Sequence, residues 1–329
     1  MIKVRVAAGR RGRVAEVRPR GRRHSSWRML RTAGLMLAPS LVMILAFSYY
    51  PAIRALYFSF FSWDGFNDPV FVGLRNFQTY LSNPNFGLEV RNIAILSCGS
   101  IIIAVTMPLL GAELIFNLRS RRAAAVYKPL LVIPMVIPFI VNVEIWAYIF
   151  APQLGLLDNL LGALHLSAWQ RLWLADPSIA IYCIVAIGFP WVSGLSFLIY
   201  LAGLQTIPQE ILDAFRLDGH SIWQRLRYLD LPLIAGQFRL VIVLTLIAAL
   251  QNFVLVLVLT NGGPGVATMV PGLEMYMSAF SYDEFGLGMA IGTMIFLAIL
   301  ALTLLLLRVG RDSTGAGAAR TQPLTGKGG

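Results

Sequence analysis

Four polar side chains interrupt strongly apolar stretches of the sequence: Asn142, Glu144, Gln251 and Asn252. Polar groups are costly at membrane depth, so such residues tend to contact a solute that crosses the membrane. Amide side chains also bond between neighbouring helices and hold a bundle together, and both interpretations stay open here. A membrane carboxylate such as Glu144 is also what an ion-coupled secondary transporter needs, and we keep that function as the alternative.

Groups for covalent or acid–base catalysis do not come together in the sequence. His24, His165 and His220 all lie outside the apolar stretches, and no nucleophile accompanies a base. Cys98 and Cys183 lie inside apolar runs, without the spacing of a metal site or a disulfide framework. An intramembrane enzyme is therefore disfavoured, whereas a purely structural membrane subunit is not excluded by chemistry.

Membrane helices must position the four polar residues. The 329 residues are 57% hydrophobic and 13% charged, with a mean hydropathy of +0.70. An ordinary soluble domain carries about a quarter charged residues. Runs such as 35–49 and 285–307 approach the roughly 20 apolar residues that a bilayer requires. We predict an all-α membrane protein with six transmembrane helices within residues 32–308, namely about 32–58, 88–118, a third after Lys128, 179–201, 233–259 and one ending at Arg308.

The distribution of basic residues predicts how the chain is oriented. The net charge is +11, and 23 of the 27 Lys and Arg residues lie in four segments, 1–31, 119–128, 216–239 and 308–329. Basic segments stay on the cytoplasmic side, so both termini are expected in the cytoplasm of a multi-pass plasma (inner) membrane protein. The charge thus indicates topology and a lipid bilayer, and no nucleic-acid partner. The basic tail 1–31 and the tail 309–329 are expected to be disordered.

A polar stretch between the fourth and fifth helices, residues 204–232, has the pattern of a helix, a turn and a second helix. Thr206 with Gln209 and Ser221 with Gln224 form two capping-box patterns, and Gly219 is suited to end the first helix. The apolar residues of the first helix fall on one face: Ile207, Ile211, Ala214 and Phe215. From periodicity alone, the stretch could equally be a basic hairpin that rests on the membrane surface.

The spacing within this stretch resembles the EAA loop of permease subunits of binding-protein-dependent ABC importers. That pattern is Glu-Ala-Ala, three residues, Gly, nine residues, Ile, one residue and Leu-Pro. The corresponding residues here are Asp213, Ala214, Phe215, Gly219, Leu229, Leu231 and Pro232. Asp213, Phe215 and Leu229 depart from it, and the ring of Phe215 must alter how closely a partner surface approaches.

Two further motifs look like that family. One lies at 71–77 in the first outer loop, and the other follows the fifth helix as Leu-Thr-Asn-Gly-Gly-Pro over 259–264 and is similar to the carbohydrate-type branch. Asp218, just before the glycine of the loop, also agrees with that branch. A Gly-Pro turn alone would explain 261–264 physically, so only the combination is specific.

The resemblance implies a pore-forming permease subunit that moves a sugar or sugar-like solute inward. It implies a second permease subunit in a heterodimer, two cytoplasmic ATPase subunits and an extracytoplasmic solute-binding protein. The residues implied to couple the chain to the ATPase are Glu210, Asp213, Ala214, Phe215, Arg216, Asp218 and Gly219. No cofactor is expected in this chain, because ATP and Mg would bind to the partner ATPases; Gly326-Lys327 lacks the remaining residues of a phosphate-binding loop.

Overall fold

The computed structural model describes residues 23–189, 193–217, 219 and 221–318. The chain divides into two compact units, residues 1–54 and 55–329. In the first unit, helix α1 (Arg23–Ile44) continues through a π-helical turn (Leu45–Tyr49) into α2 (Tyr50–Phe58). All side chains of 31–54 are exposed, as suits an apolar helix surrounded by lipid or another subunit. The helix predicted for 32–58 is confirmed, but it begins earlier, so residues 23–31 of the expected tail are helical and residues 1–22 lie outside the described residues.

The second unit is predominantly helical. Two short strands, β1 (Phe61–Ser62) and β2 (Val70–Phe71), pair antiparallel. The helices that follow are α3 (Arg75–Leu81), α4 (Phe86–Phe116), α5 (Arg121–Val132), α6 (Phe139–Ile149), α7 (Leu156–Ala163), α8 (Ala180–Ala186), α9 (Gly194–Gln205), α10 (Gln209–Leu217), α11 (Ile222–Arg225), α12 (Leu231–Leu233), α13 (Ala235–Gln251), α14 (Val254–Leu259), α15 (Pro271–Phe280) and α16 (Phe285–Ala318).

Within the described residues, three helical runs are long and apolar enough to cross a membrane: Arg31–Phe58, Phe86–Phe116 and Phe285–Arg308. Three further pairs of helices pass the same test only as bent spans, which would bring the number to six. The chain is therefore a multi-pass helical membrane protein. Helix α16 continues past Arg308 to Ala318, so the tail predicted for 309–329 is helical over 309–318, and residues 319–329 lie outside the described part.

The continuous fourth and fifth helices that the sequence predicted are both interrupted. The fourth is divided into α8 and α9, because the backbone of Gly188 has a φ of +88°, which ends a right-handed helix. The fifth is divided into α13 and α14 at Asn252, whose backbone is extended. The Oδ1 of Asn252 accepts a hydrogen bond at 3.4 Å from the backbone N–H of Leu255 in the first turn of α14.

The third span bends by 89° between α5 and α6. A 3-10 turn (Ile133–Val136) follows α5, and Ile137 then adopts the extended backbone favoured before a proline, here Pro138. Pro134 and Pro138 lie at this bend, and each proline lacks the backbone N–H that would continue a helix.

Helix α4 is the central element of the bundle. Its C-terminal half contributes Ala104, Leu109, Ala112 and Ile115 to a buried cluster shared with α9 and with Leu212 of α10. Its N-terminal half contributes Leu96 to a second cluster with α8, α14 and α15. One continuous helix therefore joins the two ends of the core.

Candidate functional site

The stretch 204–232 forms the predicted helix, turn and second helix, here called the hairpin, although residues 218 and 220 lie outside the described part. Helix α10 ends at Leu217, and Gly219 two residues later has a φ of +72°, which glycine adopts readily. Helix α11 begins with a reciprocal cap: Gln224 N–H donates to Ser221 Oγ at 3.3 Å, and Ser221 N–H donates to Gln224 Oε1 at 2.7 Å. The second capping box is thus confirmed. The first is not formed in the described part of the chain, where the Thr206 hydroxyl donates to the carbonyl of Gly203 at 2.7 Å and the Gln209 amide donates to Asp213.

One face of α10 packs on the bundle and the other is exposed. Ile207 and Leu212 are buried in the cluster that contains Tyr200 and Leu204. Ile211 and Ala214 are exposed, so only part of the apolar face formed by Ile207, Ile211, Ala214 and Phe215 is buried against the bundle. A helix of this kind is held by the bundle and presents its outer face to solvent or to a partner.

The residues predicted to couple the chain to an ATPase lie mainly on the exposed face. Glu210, Asp213 and Ala214 are exposed, and Phe215 is half-buried. The Gln209 amide donates to Asp213 Oδ1 at 3.1 Å, which orients that carboxylate along the helix. Asp218 and the side chain of Arg216 lie outside the described residues. Most of this predicted set therefore shares one accessible surface.

Two large apolar residues of the hairpin, which sequence reasoning did not select, are also exposed. Leu217 is 88% exposed at the end of α10, and Trp223 is 72% exposed in α11. An isolated tryptophan in a polar stretch was the available signal for this surface. Exposed aromatic and aliphatic anchors are the usual source of affinity where a protein partner docks.

A cavity of about 720 Å³ lies in the second unit, between α4, α6, α8, α9, α13 and α14. The three interrupted spans meet there: Ile137, Gly188 and Asn252, one from each break, all line it. Non-helical backbone at membrane depth is tolerated where it lines a cavity. The breaks and the cavity thus belong to one structural feature.

Two of the four predicted pathway residues line this cavity. Asn142 from α6 and Asn252 from the break in the fifth span are in its wall. Glu144 and Gln251 are exposed and do not line it. The structure therefore brings together Asn142 and Asn252 and leaves the other two outside.

Small hydroxyl side chains complete the polar part of the wall: Ser100, Ser193, Ser196 and Thr245. Their hydroxyls can both donate and accept hydrogen bonds. No side chain among the described lining residues is charged. The rest of the wall is apolar, so the cavity suits an uncharged molecule that carries hydrogen-bonding groups.

A family model described as the binding-protein-dependent transport system inner membrane component matches residues 100–311, which hold both the hairpin and most of the cavity wall. The chain belongs to this family. As an inner-membrane component it is a transport subunit of an ABC system, and it is not the ATPase of that system.

Curated relatives of this inner-membrane component match it over most of its length. A probable ABC transporter permease protein of Pyrococcus horikoshii is 32% identical over 276 residues, which cover 82% of this chain and 92% of the relative. The trehalose/maltose transport system permease protein of Thermococcus litoralis is 31% identical over 281 residues, covering 84% and 92%.

A solved structure shares the fold of this inner-membrane component. The bacterial alginate ABC transporter, in complex with a periplasmic protein that holds an alginate pentasaccharide, superposes with a TM-score of 0.76. The match covers 89% of this chain and 98% of that chain at 19% identity. The likeness establishes a permease fold for the helical bundle.

At the end of the bundle opposite the hairpin, the motif 259–264 of this inner-membrane component forms a braced turn. The hydroxyls of Thr260 and Thr268 lie 2.7 Å apart, and Thr268 Oγ1 donates to the Gly263 carbonyl at 2.8 Å. The Asn92 amide donates to the carbonyls of Ala267 and Met269, both at 2.9 Å, which fastens the turn to the start of α4.

The helix that follows this turn, α15, carries a carboxyl group in an unfavourable setting. Burial raises the pKa of Glu274 above its ordinary value, and the negative charge of Glu284 raises it further. The carboxylate of Glu274 is therefore a local cost to the fold when it is ionised.

Proposed function

We propose that this chain forms one half of the membrane pathway of an ABC importer for an uncharged sugar or sugar-like solute. The observation that carries the proposal is the cavity at which three interrupted spans meet, in the same bundle that holds the exposed hairpin. A transporter of this class needs a solute site within the membrane and a surface that receives the movement of an ATPase.

The cavity supports an uncharged polyhydroxylated solute. The amides of Asn142 and Asn252 and the four wall hydroxyls can each exchange hydrogen bonds with sugar hydroxyls. A phosphate or carboxylate would call for Arg or Lys, and no described lining residue is either of these. One relative, from Thermococcus litoralis, is named for trehalose and maltose, which are uncharged, and another, from Brucella abortus, is named for sn-glycerol 3-phosphate.

The hairpin is the proposed docking element for the ATPase. Glu210, Asp213, Ala214 and Phe215 would contact the ATPase, together with Arg216 and Asp218, while Gly219 supports the bend between α10 and α11. ATP and Mg²⁺ would bind to two ATPase subunits and not to this chain. The exposed residues Leu217 and Trp223 extend the same surface with apolar contacts.

The proposed assembly places this hairpin in the cytoplasm. The basic residues of 119–128, 216–239 and both tails favour six spans with cytoplasmic termini. A second, different permease subunit would complete the pathway. An extracytoplasmic solute-binding protein would deliver the solute, and the alginate transporter solved with its periplasmic protein supports such a partner.

Uptake by intact cells tests this function. A strain that lacks this chain should be compared with its parent for uptake of labelled neutral sugars, such as maltose and trehalose, and of anionic glycerol 3-phosphate and glucuronate. We expect the deletion strain to lose uptake of at least one neutral sugar, and plasmid-borne chain to restore it. If the deletion strain lost uptake of an anionic solute only, the proposed solute class would be overturned. If it kept uptake of every solute tested, the sugar-importer function would be overturned.

A further inference from the structure

A buried ionic cluster joins the hairpin to the central helix. Arg225, the last residue of α11, donates from Nε to Asp230 Oδ2 at 2.8 Å and from Nη2 to Glu113 Oε2 at 3.4 Å. Asn117 donates to the same Glu113 oxygen at 3.1 Å, and the Arg225 guanidinium lies 5.5 Å from the centre of the Phe116 ring. The cluster therefore consists of one arginine, two carboxylates and the last turn of α4.

The three charged groups of this cluster are withdrawn from solvent. Arg225, Glu113 and Asp230 are each more than nine-tenths buried, although Ser221, Trp223 and Gln224 beside Arg225 on the hairpin are exposed. Buried charges persist only when they are paired, since separating them leaves an uncompensated charge in a medium of low polarity. The hairpin cannot leave α4 without that cost, so the contact resists separation.

Arg225 donates hydrogen bonds to both carboxylates of the cluster. Asp230 lies in the same segment of chain as Arg225, a π-helical turn (Leu226–Asp230) after α11, and its bond orients the guanidinium. Glu113 lies in α4, so its bond to Arg225 is the ionic contact between two separate elements. Glu113 Oε1 and Asp230 Oδ1 have no hydrogen-bond partner in the described part of the chain, which leaves Arg225 as the group that holds the two carboxylates together.

Helix α4 connects this ionic cluster to the cavity. Helix α4 continues from Glu113 back to Ser100 and Leu96, which line the cavity wall, and it contains Pro108 between them. A rigid helix transmits a displacement at one end along its whole length, because a close-packed core resists local deformation. A movement of the hairpin thus reaches the cavity through one bonded connection and one helix.

We propose that Arg225 is a positioning residue that transmits movement of the hairpin to the cavity wall through Glu113 and α4. This inference rests on the proposed docking of an ATPase to the hairpin. The exposed face of α10 receives the ATPase, and the buried face of α11 passes the displacement on. Asp230 holds the guanidinium in place for that contact.

The first test variant removes only the ionic contact between α11 and α4. Glu113→Leu removes the contact to α4 and leaves Arg225 and Asp230 as a balanced pair. A second variant combines Arg225→Met, Glu113→Gln and Asp230→Asn, which neutralises the cluster and leaves no unpaired buried charge. Arg122→Met, an exposed arginine just beyond the same end of α4, is the matched control.

The measurement is maleimide labelling of a cysteine in the cavity wall. Ser100→Cys is introduced after Cys98→Ser and Cys183→Ser, and the complex is purified with its partner subunits in lipid nanodiscs. Labelling is compared without nucleotide and after trapping with ATP and vanadate. In the otherwise unchanged complex and in Arg122→Met, the labelling rate should differ by about tenfold between the nucleotide-free and the trapped state. In both cluster variants, the two labelling rates should differ by less than about twofold.

The amount of ATPase captured by the tagged chain separates the outcomes. Retained ATPase with a lost labelling response supports the proposal. A cluster variant that retains both the ATPase and the labelling response would overturn the role of Arg225. A cluster variant that loses the ATPase would show that the cluster shapes the docking surface, which would also contradict a role in transmission. If the unchanged complex captured no ATPase, the proposed function would fall, and this inference with it.

Discussion

Asn142 and Asn252 lie in the wall of the same cavity, although one belongs to α6 and the other to the break between α13 and α14. Their amides approach the cavity from two different spans. A solute held between them would contact both spans at once, and a movement of either span would change the site.

Replacement of Asn142 by leucine should weaken solute uptake without harming the fold. Asn142→Leu removes one hydrogen-bonding group from the cavity, which is worth about 1 kcal/mol and hence about fivefold in uptake at low solute concentration. Gln251→Leu is the matched control, because Gln251 is exposed and outside the cavity. Equal losses in both variants, measured with labelled maltose or the sugar identified by the deletion strain, would contradict the assignment of the cavity.

Replacement of Glu144 by glutamine should leave uptake within about twofold of the unchanged chain. Glu144 is exposed in the single chain and does not line the cavity, so we expect its charge to be dispensable for solute binding and for proton transfer. The measurement is uptake with and without an uncoupler of the proton gradient, at matched levels of ATP. Loss of uptake in Glu144→Gln together with sensitivity to the uncoupler would favour an ion-coupled carrier.

Truncation of the exposed apolar residues of the hairpin should weaken binding of the ATPase. Leu217→Ala with Trp223→Ala removes two anchors that make few contacts within the chain, so the melting temperature should hardly change while capture of the ATPase falls about tenfold or more. Phe66→Ala is the control, because Phe66 is 87% exposed in the loop between β1 and β2. A similar fall in capture for Phe66→Ala would show that exposed apolar area anywhere has this effect.

The raised pKa of Glu274 predicts a stability change that depends on pH. A carboxyl whose pKa is raised by folding favours the protonated form, so it destabilises the fold as pH rises above its ordinary value of 4.5. Glu274→Gln should therefore raise the melting temperature in detergent at about pH 7.5 and change it little at about pH 4. Asp283→Asn, an exposed neighbour, serves as the control, and an equal stabilisation at both values of pH would contradict this account.

The sequence predicts those features that depend on local pattern. The hairpin follows from Gly219 and from the Ser221 and Gln224 cap, which act within a few residues, and the structure confirms them. The kink at Pro138 is likewise local, because proline restricts the residue before it.

Features that depend on contacts between distant residues were not predicted. Glu113 and Arg225 are far apart in sequence, and each alone resembles an ordinary charge near the end of a span. The break at Asn252 was missed because apolar residues continue on both sides of it, so periodicity favours one helix. The exclusion of Glu144 and Gln251 from the cavity follows from rotation of the helices, which packing decides and composition does not.

The proposed function requires an ATPase to dock on the hairpin, and capture of that ATPase in detergent tests this docking directly. The tagged chain is purified as the unchanged form, as Gly219→Pro and as Gly73→Pro, a glycine that also has a positive φ but lies outside the hairpin. Proline cannot adopt a positive φ, so Gly219→Pro must deform the bend between α10 and α11. We expect the unchanged chain and Gly73→Pro to retain the ATPase, and Gly219→Pro to release it while still inserted in the membrane. Equal capture by Gly219→Pro and the unchanged chain would contradict the account.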